Sequence, residues 1–241
     1  AAIVRSCDVY FYKISDELGI QKVVNVLDGF GFGRKTGIDL PGEQKGLLPS
    51  PEWKRQNKNL PWYPGETLIT GIGQGFLLAT PLQLAHFTAT IAMKGQVRAP
   101  YLVQHIENSD GSPEVSLQGP PIQAIFADNE EYWQIIADSM VEVVHGSSGT
   151  ARGSGYGAPV RFAGKTGTSQ VFAIAQDEEF DEEKVPAHLK DHALFIAFAP
   201  IENPQIALAV VVENGSSGSS TAAPIARRMI DAFFEEGGGD G

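Results

Sequence analysis

The sequence predicts an α+β fold, and three observations carry that expectation. The first half of the chain repeats apolar residues at helical spacing. The second half carries extended runs at 160–168, 192–199 and 205–213, the last of them nearly all apolar. The 241 residues are 42% hydrophobic and 20% charged, an ordinary globular composition with enough apolar side chains for one large domain or two small ones.

Residues 6–18 read as the first helix, with Val9, Tyr12, Ile14 and Leu18 on its apolar face and Gly19 as its stop. Residues 20–28 repeat the pattern through Ile20, Val23, Val24 and Leu27, and end at Gly29. From 30 to 50 the glycines at 31, 33, 37, 42 and 46, with Pro41, break any period, so this stretch is expected to be loop. Ser50-Pro51-Glu52 suits a short helix, with Ser as cap and Pro in the first position. Thr80-Pro81 starts the clearest helix, 81–94, which Gly95 ends. A strand is expected over 97–106 and a turn region over 111–121. Asp128 is placed to cap a helix running to Val144, with Glu131 completing a capping box. A Gly/Ser-rich loop over 146–159 precedes the three strands. Ile206 to Val212 is so uniformly apolar that it predicts a central strand buried on both faces. Residues 171–191, acidic and poor in apolar anchors, are expected to form a mobile flap between two strands. After a loop at 215–218, residues 222–236 read as a last helix with Ile225, Met229, Ile230 and Phe233 inward, and 237–241 as a disordered tail.

Eighteen basic against 29 acidic residues give a net charge of −11, which argues against a nucleic-acid partner. One cysteine, Cys7, excludes an internal disulfide. No run of 18 apolar residues offers a membrane span, and no signal peptide opens the chain. Ala1-Ala2-Ile3-Val4-Arg5 reads instead as the interior of something longer. His188 and His192 beside the acidic run 177–183 lack ligand spacing, so no metal is expected, and the run reads as a solvated loop. His86 reads as a packing or surface histidine, and Trp53, Trp62 and Trp133 as core or rim.

Lys165-Thr166-Gly167-Thr168 sits on an expected strand. Its ammonium supplies charge and three donors, its hydroxyls supply directed bonds, and its Gly lets a ligand approach the backbone. Facing a ligand together, they suit an anion whose carbonyl is to be attacked. Ser6-Cys7-Asp8 at the start of the first helix reads equally as a helix cap or as part of a site. Gly71-Ile72-Gly73-Gln74-Gly75 is glycine-rich, yet no Lys-Ser/Thr follows it and no strand leads in, so it is no phosphate loop. It reads as a tight loop before a helix.

Together these stretches resemble the C-terminal part of a class B penicillin-binding protein transpeptidase domain, of the penicillin-binding protein 2 type found in Gram-negative rods. Thr-Gly-Ile-Asp-Leu at 36–40, Pro-Trp-Tyr-Pro-Gly at 61–65 and Ala-Thr-Pro-Leu-Gln at 79–83 fall in family order with the three clusters above. So do Gly-Thr-Ala at 149–151, Ala-Phe-Ala-Pro at 197–200 and Val-Glu-Asn-Gly at 212–215. K-T-G is one of three marks of such enzymes, beside S-x-x-K and S-D-N. Ser6-Cys7-Asp8 takes the place of the S-x-N element, with Asp where most members have Asn. No S-x-x-K precedes it in these residues, so the nucleophile is expected outside the chain.

The resemblance implies the penicillin-binding protein/serine β-lactamase fold, with three C-terminal strands of an antiparallel sheet packed with helices. It implies that residues 1–236 are the C-terminal part of a transpeptidase domain. The substrate would be the peptidoglycan stem peptide, β-lactams would bind, and no cofactor would be needed. Catalytic roles fall to Ser6, Lys165 and Thr168, and substrate contacts to Asp8, Thr166, Gly167 and Thr168. In that scheme Lys165 holds the terminal carboxylate, Ser6 passes protons, and Thr168 N–H is one oxyanion donor. Asp8 contacts the peptide amide; it can pair with a lysine, or carry a proton and mimic Asn. The full-length parent would be anchored at the periplasmic face of the inner membrane, the fragment itself being soluble. Its partner would be the polytopic glycosyltransferase of cell elongation. A β-lactamase or D,D-carboxypeptidase on the same fold, or a non-catalytic β-lactam sensor, are the alternatives.

Overall fold

The computed structural model describes residues 1–108, 113–116, 121–126, 130–171 and 185–237. The chain opens with helices α1 (Ala2–Arg5), α2 (Asp8–Leu18) and α3 (Ile20–Gly29). After the glycine-rich stretch come α4 (Pro51–Lys58), α5 (Pro64–Gly71) and α6 (Pro81–Ala92). Four short strands follow, β1 (Gln96–Val97), β2 (His105–Glu107), β3 (Pro113–Ser116) and β4 (Gln123–Ala124). Then come α7 (Glu130–His145), α8 (Arg152–Gly155), β5 (Ala163–Ser169), β6 (His192–Ala199) and β7 (Ile206–Val212). A π-helical turn at Gly218–Ala222 leads into α9 (Ala223–Gly237).

The main sheet runs β5-β6-β7, antiparallel throughout, with Lys165 opposite Ile196 and Leu194 opposite Val211. Helices cover both of its faces. On one side Phe195, Ala197, Leu208 and Val210 bury against Ala222, Ala226 and Ile230 of the π turn and α9. On the other, Ala163 and Phe198 meet Ile91 of α6 and Trp133 and Met140 of α7. Each large side chain fully buried in these layers contributes about 1.5–3 kcal/mol.

The expected α+β architecture is the observed one, and the three strands lie where the extended runs placed them. Among the described residues, however, β7 is an edge strand and β6 the central one, and Val211 of β7 is 36% exposed. Its apolar run has another cause. Alternate residues feed the two helical layers, Leu208 into one and Ala207 into the other. The inward face of α9 agrees with expectation at Ile230 and differs at the other three positions. Ala223, Ala226 and Ile230 are buried, while Ile225, Met229 and Phe233 are 39%, 45% and 43% exposed. Small residues let the helix sit close on the sheet.

The strand expected over 97–106 splits into β1 and β2. Between them the backbone N–H groups of Leu102 and Val103 donate to the Asp39 carboxylate at 2.7 and 2.9 Å, so a side chain takes bonds that a ladder would use. These bonds hold the Asp39 carboxyl below the usual carboxylate range. The expected turn at 111–121 contains β3. Ser50 caps α4 as read, accepting from Trp53 N–H at 3.1 Å. Thr80 and Gln83 close a capping box on α6, and the Gln83 amide also donates to Arg34 O and Lys45 O, pinning the 30–50 loop. Gly146–Pro159 includes the short α8. The Asp128 cap, the acidic run 177–183, most of the 171–191 segment and the tail beyond 237 lie outside the described residues.

Helix α5 has no counterpart in the sequence reading. Pro64 starts it, Glu66 accepts from Tyr63 N–H at 2.7 Å, and eight residues are too few to show a period. Its stability is tertiary: Lys54 of α4, 2% exposed, pairs with Glu66 and lies 4.1 Å above the Tyr63 ring.

Candidate active site

Helix α1 ends in Ser6, whose backbone is left-handed at φ 51° and ψ 55°. For a residue with a Cβ this conformation costs about 1–2 kcal/mol. It turns the chain so that α2 restarts at Asp8, with Cys7 in the cap position making no side-chain cap bond. The cap reading of Ser6 therefore fails. Its Oγ instead accepts from Lys165 Nζ at 2.8 Å, joining residues 159 apart in sequence.

Lys165 stands on β5, where side chains alternate between faces. Lys165 and Gly167 thus lie on one face of the strand and Thr166 and Thr168 on the other, so a ligand that meets all four does not meet them on one sheet face. They share an edge. Lys165 Nζ also donates to Thr166 O at 2.7 Å, and Gln74 Nε2 donates to Thr168 O at 2.8 Å. Both carbonyls therefore point away from β6. The N–H groups of the same residues lie along that outer edge, as antiparallel geometry requires. Among the described residues no strand pairs there. An open edge with a cation beside it can take an extended, anionic peptide by strand addition.

Neighbouring groups fix this edge. Thr150 Oγ1 lies 3.0 Å from Thr166 Oγ1, orienting that hydroxyl. A Cβ on Gly218 would stand 2.5 Å from both Gly167 O and Leu194 O, so only glycine lets the π turn close over β5 and β6. A Cβ on Gly164 would stand 2.4 Å from Phe195 Cζ.

Removal from water pushes the Lys165 ammonium down from 10.5 to about 8, and the attraction of the Asp8 carboxylate partly opposes that fall. Asp8 is exposed in the first turn of α2. The geometry thus brings Ser6, Asp8, Lys165 and Thr166 together around one ammonium, with Thr168 further along the same edge. Sequence reasoning missed Thr150, Gly218 and the Gln74 amide as members of the site. The alternate glycines around Gln74 were the available signal.

Other candidates lie elsewhere. His86 Nε2 is 3.1 Å from Arg98 O, beside a cavity of about 300 Å³ that shares no residue with the cleft. His192 Nδ1 accepts from Asn214 N–H at 2.9 Å, a structural bond at the end of β6. Trp133 is buried in the core, Trp62 donates to Thr67 Oγ1 at 2.9 Å, and Trp53 packs on Phe76.

Comparison with known proteins gives a consistent answer. A family model described as "Penicillin binding protein transpeptidase domain" matches residues 1–231. The Peptidoglycan D,D-transpeptidase MrdA of Salmonella typhimurium is 37% identical over 234 residues, which are 97% of this chain and 37% of that protein. The chain therefore spans a little over a third of that relative's length. Among solved structures, Pseudomonas aeruginosa PBP2 in complex with WCK 5153 is similar with a TM-score of 0.80 and 45% identity, over 97% of this chain and 46% of that one. PBP2 of Helicobacter pylori in complex with MreC has a TM-score of 0.83 and 34% identity, over 98% of this chain and 40% of that one.

Proposed function

The chain belongs to the penicillin-binding protein transpeptidase family, and from that premise we propose that residues 1–236 form the C-terminal part of a peptidoglycan D,D-transpeptidase working through a serine acyl-enzyme. The observation that carries the proposal is the 2.8 Å bond between Ser6 and Lys165 at the open edge of β5.

The acyl donor is a stem peptide ending in D-Ala-D-Ala. A serine oxygen from the S-x-x-K segment, outside this chain, bonds to the penultimate carbonyl carbon, and the bond to the terminal D-Ala nitrogen then breaks. Lys165 holds the terminal carboxylate. The attacking serine gives up its proton to the lysine of that same S-x-x-K segment, and Ser6, polarised by the Lys165 ammonium, relays a proton to the departing amine. Thr168 N–H, on the outer edge, donates to the developing oxyanion; the serine's own N–H completes that pair. Thr166 and Thr168 hydroxyls contact the carboxylate, Gly167 leaves room for the peptide, and Asp8 contacts its amide while keeping Lys165 charged. A second peptide's amine then takes the acyl group from the serine. β-Lactams enter the same edge as amide mimics.

The transpeptidase name of the relatives favours this reading over a β-lactamase, a D,D-carboxypeptidase or a sensor. Peptidoglycan lies in the periplasm, so the parent protein acts at the outer face of the inner membrane, held there by a segment beyond these residues. Among the described residues no helix is long and apolar enough to cross a membrane. The complex formed by the Helicobacter relative supports membership of an elongation assembly, with a polytopic glycosyltransferase as the enzyme that supplies its glycan strands. In a protein that carries the S-x-x-K segment, Lys165→Ala is expected to slow acylation by a fluorescent penicillin by roughly 10²–10³, the loss typical of a preorganised electrostatic contact. Acylation at the parental rate would remove Lys165 from the mechanism.

A further inference from the structure

The glycine cluster at 71–75 has a physical task that no phosphate explains. We propose that Gln74 is the positioning residue of the β5 edge: its side-chain amide holds Thr168 in place and closes the edge beyond it. The proposal rests on the reading of Thr168 as an oxyanion donor.

One amide makes two bonds to one strand. Nε2 donates to Thr168 O at 2.8 Å, and Oε1 accepts from Gln170 N–H at 3.3 Å. These are the carbonyl and the N–H on either side of Ser169, so the amide occupies the place that one residue of a neighbouring strand would fill. An incoming peptide can therefore pair along Thr166 to Thr168 and no further.

The loop is shaped to present this side chain. Gly73 and Gly75, on either side of Gln74, have φ of +81° and +75°, where a side chain would be strained. A Cβ on Gly71 would lie 1.7 Å from Ser15 Oγ, so only glycine lets the end of α5 touch α2. Gln74 N–H donates to Ile69 O at 2.9 Å and Gly73 N–H to Thr70 O at 3.0 Å, which ties the loop to α5. Helix α5 is in turn locked to α4 by the buried Lys54–Glu66 pair. The amide is therefore carried on a rigid base. A loop that merely packed against β5 would need neither a donor nor an acceptor at this position.

Gln74→Met separates the two cases, because it keeps the length and packing of the side chain and loses both bonds; Gln74→Glu keeps the acceptor and loses the donor. Both are made in a protein carrying the S-x-x-K segment. Acylation by a fluorescent penicillin is resolved into its binding and chemical steps, and hydrogen exchange is read at the Gln170 amide. The chemical step is expected to fall by roughly 10- to 100-fold in both variants, the size of loss that misplacement of a reacting group produces. Binding and melting temperature should change little, and exchange at Gln170 should quicken in Gln74→Met. A parental chemical rate in Gln74→Met overturns the proposal. If the unmutated protein is not acylated at all, the transpeptidase reading fails instead. Exchange at Gln170 then decides on Gln74, and an unchanged rate overturns its role.

Discussion

Lys165 should titrate near neutrality, and Asp8 should control how near. Its ammonium is half-buried, bonded to Ser6 Oγ at 2.8 Å and Thr166 O at 2.7 Å, neither of which carries charge. Desolvation takes its pKa from 10.5 to about 8, and the Asp8 carboxylate is the one opposing influence. At about pH 7 roughly nine molecules in ten carry the charge; at about pH 9 only one in ten does. Asp8→Asn removes the attraction and should move the midpoint below 8. The linkage has a definite sign. Between about pH 8 and 10.5 the unfolded chain holds a proton that the folded one has released, so stability rises with pH through that window. Below about pH 8 both states are protonated and the cost of burying the cation is fully present. Isotope-edited NMR shifts of the Lys165 side chain, followed against pH in the 241-residue chain and in Asp8→Asn, read both midpoints. A midpoint at 10 or above, or one that Asp8→Asn leaves unmoved, would refute the reasoning. A penicillin-acylation profile in the longer protein should show the same group as an alkaline limb near pH 8.

Lys54→Met strands the Glu66 carboxylate and should lower stability by about 3–5 kcal/mol, whereas Lys54→Met with Glu66→Gln, which keeps an acceptor for Tyr63 N–H, should recover most of it. Urea midpoints at unchanged slope measure both variants, and a single-variant loss well under 1 kcal/mol would contradict burial of the pair. Gly218→Ala should cost about 1–3 kcal/mol, because its Cβ meets backbone oxygens on β5 and β6. Gly153→Ala, in α8 with nothing within 4 Å of the added carbon, should gain up to about 1 kcal/mol. Equal melting temperatures for those two variants would count against the packing described for the π turn.

How much of this was legible depends on where the stabilising partner sits. β6 and β7 were visible because helices cover both sheet faces, which forces nearly continuous apolar runs onto the chain; β5, AGKTGTS, has no such run and was placed by its lead-in at Arg161-Phe162 and its motif. α6 was visible because Thr80, Pro81 and Gln83 carry its start locally. α5 was not, since its anchor, Lys54, belongs to another helix. The run at 97–106 looked like one strand because the partner that divides it, Asp39, lies some sixty residues earlier. In α9 a reading by hydrophobicity favoured Ile225, Met229 and Phe233, although shape gave the sheet contact to alanines. Ser6 and Lys165 stood out as residue types, but nothing local says that their side chains meet. Gln74 was in plain view among its glycines, and a neutral amide gives no sign of which backbone groups it will bond.

The central claim is that this cleft completes an acyl-transfer site whose nucleophile lies on a segment outside residues 1–241. Intact-mass measurement after incubation with benzylpenicillin tests it most directly, on the 241-residue chain and on a protein extended through the S-x-x-K segment. Acylation needs a serine with a lysine one helical turn away, and Ser6 is followed at that spacing by Val9, 74% exposed. The account predicts no added mass on the shorter chain. On the longer protein it predicts one adduct, at a serine outside residues 1–241 and lost in Lys165→Ala. A stoichiometric adduct on Ser6, or none on the longer protein, would contradict it.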